Sequence, residues 1–191
     1  MIGEILILIG GIVIFCMFIT LGWGINRYNF FASWRQNIET QWSNILSEYK
    51  RRIDLFVNLA ETVKGSAKFE KSTLMEVIAA RGVNLNGPKK VQADKMKGLD
   101  NVFSKLLAVV EQYPVLKSVD NYSKLVEEIR ITEDRINVAR TDFNDVVREY
   151  NTTVVTFPNS IIAGMFNFNK HPYFMPEEKD IQKTPKIDLA L

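Results

Sequence analysis

The chain has 191 residues, 47% of them apolar, and its 24 basic and 22 acidic side chains leave a formal charge of +2. So even a balance provides no field strong enough to hold a phosphate backbone, and nucleic acid is not an expected partner. The single cysteine, Cys16, excludes an intrachain disulfide and a cysteine-based metal site. The single histidine, His171, stands in Lys170-His171-Pro172-Tyr173 with no cysteine nearby and no second histidine anywhere, so neither histidine-pair zinc ligation nor a serine triad can be written and it reads as an ordinary loop residue.

After a short end at residues 1–4, no side chain from Ile5 to Asn26 is charged and most are aliphatic or aromatic. At a rise of about 1.5 Å per residue, roughly 20 such residues cross a bilayer core of about 30 Å. A cleaved secretory signal fits poorly, since the run begins Met1-Ile2-Gly3-Glu4 without a basic region and is too long. A lipoprotein signal fits no better, because bulky Phe15 precedes Cys16 where a small residue is needed. Residues 5–26 therefore read as an uncleaved signal anchor, with Trp23, Arg27 and Tyr28 at the membrane interface. Basic residues follow the anchor (Arg27, Arg35, then Lys50, Arg51 and Arg52), whereas Glu4 and the amine precede it. That asymmetry predicts an outside N-terminus and a cytoplasmic helical domain.

Glycine and proline are sparse beyond the anchor and helix-forming residues fill the intervals, which favours long helices. Phe31, Trp34, Ile38, Trp42, Ile45, Tyr49, Ile53, Phe56, Ala60 and Val63 recur in steps of three and four, one stripe on a helix continuing out of the bilayer. Opposite it, Arg51, Asp54, Asn58 and Glu61 make a solvated polar face. Gly65-Ser66 marks a stop and restart; Phe69, Leu74, Val77 and Ile78 then mark a shorter helix ending near Arg81-Gly82. Residues 82–90, with Asn84, Asn86, Gly87 and Pro88, have the composition of a loop. Leu99, Val102, Leu106, Val109 and Tyr113 form a third stripe, which Pro114 must end.

Asp120 or Asn121 can cap the last helix, whose stripe runs Tyr122, Leu125, Ile129, Thr132, Ile136, Ala139, Phe143, Val146, Tyr150, Thr153 and Phe157. So long a seam implies near-parallel packing with coiled-coil-like contacts. Four amphipathic helices cannot bury their stripes separately, so the fold class expected for residues 27–157 is all-α, an antiparallel four-helix bundle with long helices behind one transmembrane helix. Up-down-up-down order would return the chain near Phe157-Pro158 to the bilayer surface.

Beside the last seam, Glu133, Asn137, Arg140, Asn144 and Asn151 form a polar stripe suited either to inter-helix hydrogen bonds and protein contacts or to solvent. Residues 158–175 hold an unusual apolar crowd, including Ile161, Ile162, Met165, Phe166, Phe168, Tyr173, Phe174 and Met175. It must pack on the bundle, join a second subunit or touch lipid. Residues 176–191 mix charges without periodicity and read as an extended tail. Gly87-Pro88-Lys89-Lys90 lacks the spacing of a phosphate loop, and one histidine cannot supply the paired motifs of a di-metal bundle. No cofactor and no metal are expected.

Several ordered blocks carry a wider resemblance: Tyr28-Asn29, Arg51-Arg52-Ile53-Asp54-Leu55, Asn58-Leu59, Glu61-Thr62-Val63-Lys64-Gly65 with Glu70, Ala80-Arg81, Glu111-Gln112-Tyr113-Pro114 with Leu116, Ala139-Arg140, Asn144, Tyr150-Asn151 and Phe157-Pro158. Through them the chain resembles the LemA family of bacterial membrane proteins over nearly its whole length. Phe143 stands where the family pattern has tyrosine, which removes one hydroxyl. The resemblance implies an N-out anchor, a cytoplasmic four-helix bundle and no recognised enzymatic activity. A magnetosome-membrane protein among the family's relatives, and members encoded near membrane proteases, point to membrane organisation and to protease partnership. The expectation is thus a non-catalytic, homo-oligomeric scaffold at the bilayer, with an adaptor for another membrane protein as the alternative. Its contacts are expected at Glu133, Asn137, Arg140, Asn144, Asn151, Phe166, Phe168, Tyr173 and Phe174.

Overall fold

The structure is a computed structural model that describes residues 2–64, 71–111 and 120–174. The expected break at Gly65-Ser66, Phe69, the stop at Tyr113-Pro114, Met175 and the tail of residues 176–191 lie outside the described residues. Among the described residues the fold is all-helical, without strands: α1 (Ile2–Val63), α2 (Lys71–Ala80), α3 (Lys89–Glu111), α4 (Asp120–Val155) and α5 (Asn159–Met165). α1 passes the anchor boundary at Asn26 unbroken, and an 18-residue window within it has mean hydropathy 2.8 with none of that window buried. It is the one described helix long and apolar enough to cross a membrane.

The chain divides into two compact units, Thr40–Thr141 and the pair of segments Met1–Glu39 with Asp142–Leu191. Both α1 and α4 contribute residues to each.

In the unit Thr40–Thr141, α1 buries nearly every residue expected of its stripe, from Trp42 to Val63, and Leu55, Val57 and Leu59 widen the buried face. Contacts pair Trp42 with Gln92, Tyr49 and Arg52 with Asp100, and Phe56 with Phe103, so α1 and α3 run parallel. Tyr49 with Arg140 and Arg52 with Glu133 set α4 antiparallel to α1. The α3 seam is Gln92, Met96, Leu99, Phe103 and Leu106, with Val102 only half-buried beside it. Phe103 takes the place expected of Val102 between Leu99 and Leu106 and stacks on Phe56 at 4.1 Å between ring centroids, while Met96 extends the seam by one more turn. Residues 83–88 are irregular as expected, yet Leu85 is buried and the Asn86 amide donates to Asn84 Oδ1 at 2.8 Å.

Arg52, 6% exposed, sits inside this apolar face. Its guanidinium pairs with Asp100 of α3 and, through Nε at 2.6 Å, with Glu133 of α4, and it lies 5.0 Å from the Phe103 ring centroid. Arg140 donates to the Tyr49 hydroxyl and reaches Asp100 Oδ2 at 3.4 Å, while the same hydroxyl donates to the Asp100 carboxylate at 3.2 Å. Burial pushes the Glu133 carboxyl above its ordinary range against the opposing pull of Arg52, so desolvation outweighs the pairing there. Burial, reinforced by Asp100, pushes the Tyr49 hydroxyl from 10.0 to about 12.

Removing the buried arginine strands the Glu133 carboxylate and leaves Asp100 with Arg140 as its cation, so Arg52→Ala should lower the unfolding free energy of the full-length protein in mild detergent by about 3–5 kcal/mol. The Tyr49 contribution is complete below pH 10.0 and is lost as pH rises to about 12, since over that window only the unfolded phenol ionises. Relative to Tyr49→Phe, the wild type should therefore lose roughly 3 kcal/mol of unfolding free energy across that window, read by denaturant melts at stepped pH.

Candidate functional site

The second unit, Met1–Glu39 with Asp142–Leu191, joins the apolar half of α1 to the end of α4, to α5 and to the chain beyond it. α4 stops at Val155 rather than reaching Phe157, because the residue before a proline is disfavoured in helical geometry and Pro158 follows. Phe157 is consequently 78% exposed rather than part of the seam, and Val147, not Val146, is fully buried between Phe143 and Tyr150.

The segment from Asn159 to Met165 forms the short helix α5, which periodicity alone did not separate from its apolar surroundings. Its C-terminus closes by a recognisable cap. Asn167 adopts φ 55°, the Phe168 amide donates to Ala163 O at 2.9 Å, and the Phe166 amide donates to Ile162 O at 3.1 Å. Asparagine is one of the few non-glycine residues at home in that left-handed position.

The turn delivers Phe168 into the core. Its ring stacks on Phe31 at 5.0 Å, meets Tyr28 edge-on at 5.6 Å, and carries the Arg35 guanidinium 5.1 Å from its centroid. Phe31 in turn meets Tyr150 edge-on at 6.3 Å. Burial raises the Tyr150 hydroxyl, with Arg35 pulling the other way.

Beyond Phe168 the chain is held by two asparagines of α4. Asn151 Nδ2 donates to His171 O at 2.8 Å and its Oδ1 accepts the His171 amide at 2.7 Å. Asn144 repeats the arrangement on Phe174, at 2.9 and 2.8 Å. Each carboxamide thus satisfies both backbone groups of one residue, as a neighbouring strand would. The spacing is commensurate: seven helical residues rise about 10.5 Å, and three extended residues cover about 10 Å. The paired numbers run in opposite senses, so the segment lies antiparallel to α4. Phe143 presents its ring edge-on to His171 at 6.0 Å, which gives the site's aromatic wall without a hydroxyl.

The expected site residues therefore divide. Asn144, Asn151, Phe168 and the Phe174 backbone meet in this unit, whereas Glu133 and Arg140 belong to the charged cluster around Arg52. Asn137 is exposed, and Phe166 and Tyr173 are 49% and 42% exposed. At the expected membrane interface, Trp23 is half-buried, Arg27 lies 5.6 Å from the Phe30 ring centroid, and Tyr28 meets Phe166 edge-on at 4.9 Å. Arg52 and Asp100 were not among the expected residues. The available signal was the position of Arg52, three after Tyr49 and four before Phe56, within the apolar stripe.

Each unit has a concave surface. In Met1–Glu39 with Asp142–Leu191, an apolar groove of about 500 Å³ runs between α1 and α5, lined by Thr20, Leu21, Gly24, Ile25 and Tyr28 on one side and Ile162, Met165 and Phe166 on the other. In Thr40–Thr141, a more polar cleft of about 580 Å³ lies between Asn58, Glu61 and Thr62 of α1 and Asn121, Lys124, Leu125 and Glu128 of α4. Among the described residues no three His, Cys, Asp or Glu side chains converge as metal ligands.

A family model, the LemA family, matches residues 41–189, most of the chain. The chain belongs to the LemA family. It is 28% identical to Magnetosome protein MamQ 2 of Paramagnetospirillum magneticum, over 84% of this chain and 68% of that protein. It is 27% identical to Magnetosome protein MamQ of Magnetospirillum gryphiswaldense over the same shares, and 24% identical to Protein LemA of Metamycoplasma hominis over 81% of this chain and 71% of that one. With the exposed apolar stretch of α1, this membership suggests a membrane-associated, membrane-anchored protein. Asn58, Glu61 and Thr62 of the polar cleft, and Asn144 and Asn151 of the asparagine pair, belong to the blocks through which the sequence resembles the family.

Replacing Asn151 by leucine keeps the side-chain bulk and removes both bonds to His171. The expected result is a loss of about 1–3 kcal/mol in stability and faster hydrogen exchange at the His171 amide than in the wild type, with Phe174 following when Asn144 is replaced in the same way.

Proposed function

We propose that this LemA-family member is a non-catalytic, membrane-anchored scaffold that self-associates at the bacterial cell membrane. The observation that carries the reading is the junction in α1. Phe31, fully buried in an aromatic core, follows the end of the apolar span at Asn26 by five residues of unbroken helix. A protein domain so mounted, without a linker, is held against the bilayer rather than tethered at a distance from it. Arg27 and Arg35 on the core side of the span favour an outside N-terminus and a cytoplasmic domain.

In the unit Thr40–Thr141, the four helical segments are read as the expected up-down-up-down bundle. The parallel α1 and α3, with α4 antiparallel to them, are consistent with that order. Glu133, Arg140, Asn144 and Asn151 bond within the chain, so self-association falls to other surfaces. On α4, Ile131 and Val138 stand seven residues apart and are 37% and 59% exposed, the spacing of one helix-to-helix seam. The names of the magnetosome relatives fit a role in membrane organisation.

Light scattering of the full-length protein in mild detergent should give one discrete mass of several subunits, and Ile131→Glu with Val138→Glu should reduce it. A monomer in the unaltered protein would sink the scaffold reading. Recovery of a larger mass only after a membrane protease is added would favour an adaptor instead.

A further inference from the structure

The groove between α1 and α5 has an unusual address. Four of its lining residues, Thr20, Leu21, Gly24 and Ile25, belong to the apolar span of residues 5–26. Ile162 of α5 lies against that span, its Cδ1 3.8 Å from where a side chain at Gly24 would begin. Thr20 stands six residues before Asn26, about 9 Å along a helix. A helix that packs against this stretch cannot stay in bulk water if the stretch is in lipid; it must share the outer several ångströms of the same leaflet.

α5 has the chemistry for that position. No charged side chain occurs between Glu149 and Lys170, and an apolar run too short to span belongs either in a protein core or at a membrane interface. Phe157, Ile161, Met165 and Phe166 are 78%, 51%, 68% and 49% exposed. The backbone is provided for as well. Amides near both ends of α5 are bonded within the chain: Ser160 to Thr156 O at 2.9 Å, Ile161 to Pro158 O at 3.2 Å, and Phe166 and Phe168 as above. Groups so satisfied can leave water, whereas open ones could not. On the facing side, the Thr20 hydroxyl donates to the carbonyls of Cys16 and Met17, so the polar group on the groove wall is satisfied within its own helix.

We infer that α5, with Phe157 and Phe166 at its ends, is a second membrane-embedded element, inserted into the leaflet at the core-side end of the anchor, and that phospholipid acyl chains cover its exposed face and fill the α1–α5 groove. The depth, about 5–10 Å, is that of an interfacial helix. The inference rests on the reading of residues 5–26 as bilayer-spanning.

The sole cysteine makes the test direct. In full-length protein reconstituted into phosphatidylcholine and phosphatidylglycerol vesicles, a nitroxide on native Cys16 reports the anchor. A nitroxide on Met165→Cys, in a Cys16→Ala background, reports α5, and one on Asn169→Cys reports the aqueous side. Collision with oxygen and loss of collision with a water-soluble nickel chelate at Met165, as at Cys16, is the expected result. Nickel access at Met165 equal to that at Asn169, with Cys16 shielded, overturns the inference and leaves the anchor standing. Shielding of Met165 from both reagents places α5 against protein, such as a second copy, and overturns it too. Nickel access at Cys16 removes the anchor and this inference together.

Discussion

The packed unit Thr40–Thr141 turns on the buried guanidinium of Arg52. It is contributed by one helix and neutralised by carboxylates from two others, so it can be satisfied only when α1, α3 and α4 stand in one mutual register. Apolar seams made of phenylalanine, leucine and isoleucine tolerate a slip of one turn at modest cost, because one methyl resembles another. A buried charge does not, since a slip strands it and both partners. The raised Glu133 carboxyl shows the cost of that specificity: burial disfavours its ionised form even with the cation 2.6 Å away. Tyr49 and Arg140 complete the cluster and divide the Asp100 carboxylate between them and Arg52.

What the sequence made legible follows from which physical signals are periodic. The α1 stripe from Phe31 to Val63 was readable residue by residue because a helix face repeats in steps of three and four, and burial follows it closely. The apolar span was readable from composition alone. The α3 seam was half readable, since Val102 and Phe103 both fit a step of three or four between Leu99 and Leu106 and only the partner face decides between them. Arg52 was hidden for a different reason: charge assigns a residue to the surface by default, and burial requires carboxylates that are distant in sequence, 48 and 81 positions away. The same holds for Asn144 and Asn151. They stood out as a polar stripe beside a seam, but their partners are backbone groups of a segment with no periodic signal.

Local signals also explain where the C-terminal region departs from its reading. A proline placed after Phe157 ends α4 early and turns an expected seam residue outward. Asn167 then reverses the chain after seven helical residues and sends Phe168 inward. Apolar crowding in this region suggested several covers at once. The structure divides the side chains among them: Phe168 and Ile162 face protein, while Phe157, Ile161 and Met165 face outward.

The asparagine pair treats the segment at His171 and Phe174 as bare polypeptide. Because each carboxamide reads an amide and a carbonyl, nothing in the grip depends on which side chain the gripped residue carries. The positions are therefore permissive in one sense and strict in another: imidazole or ring could be exchanged for many others, but an imino acid at either rung would lack the hydrogen that Oδ1 accepts. Pro172 occupies a place between the rungs, where no such hydrogen is called upon by the pair. Sequence drift along this strip is thus governed by main-chain chemistry, so two chains could differ in every side chain there and still be fastened to α4 in the same way.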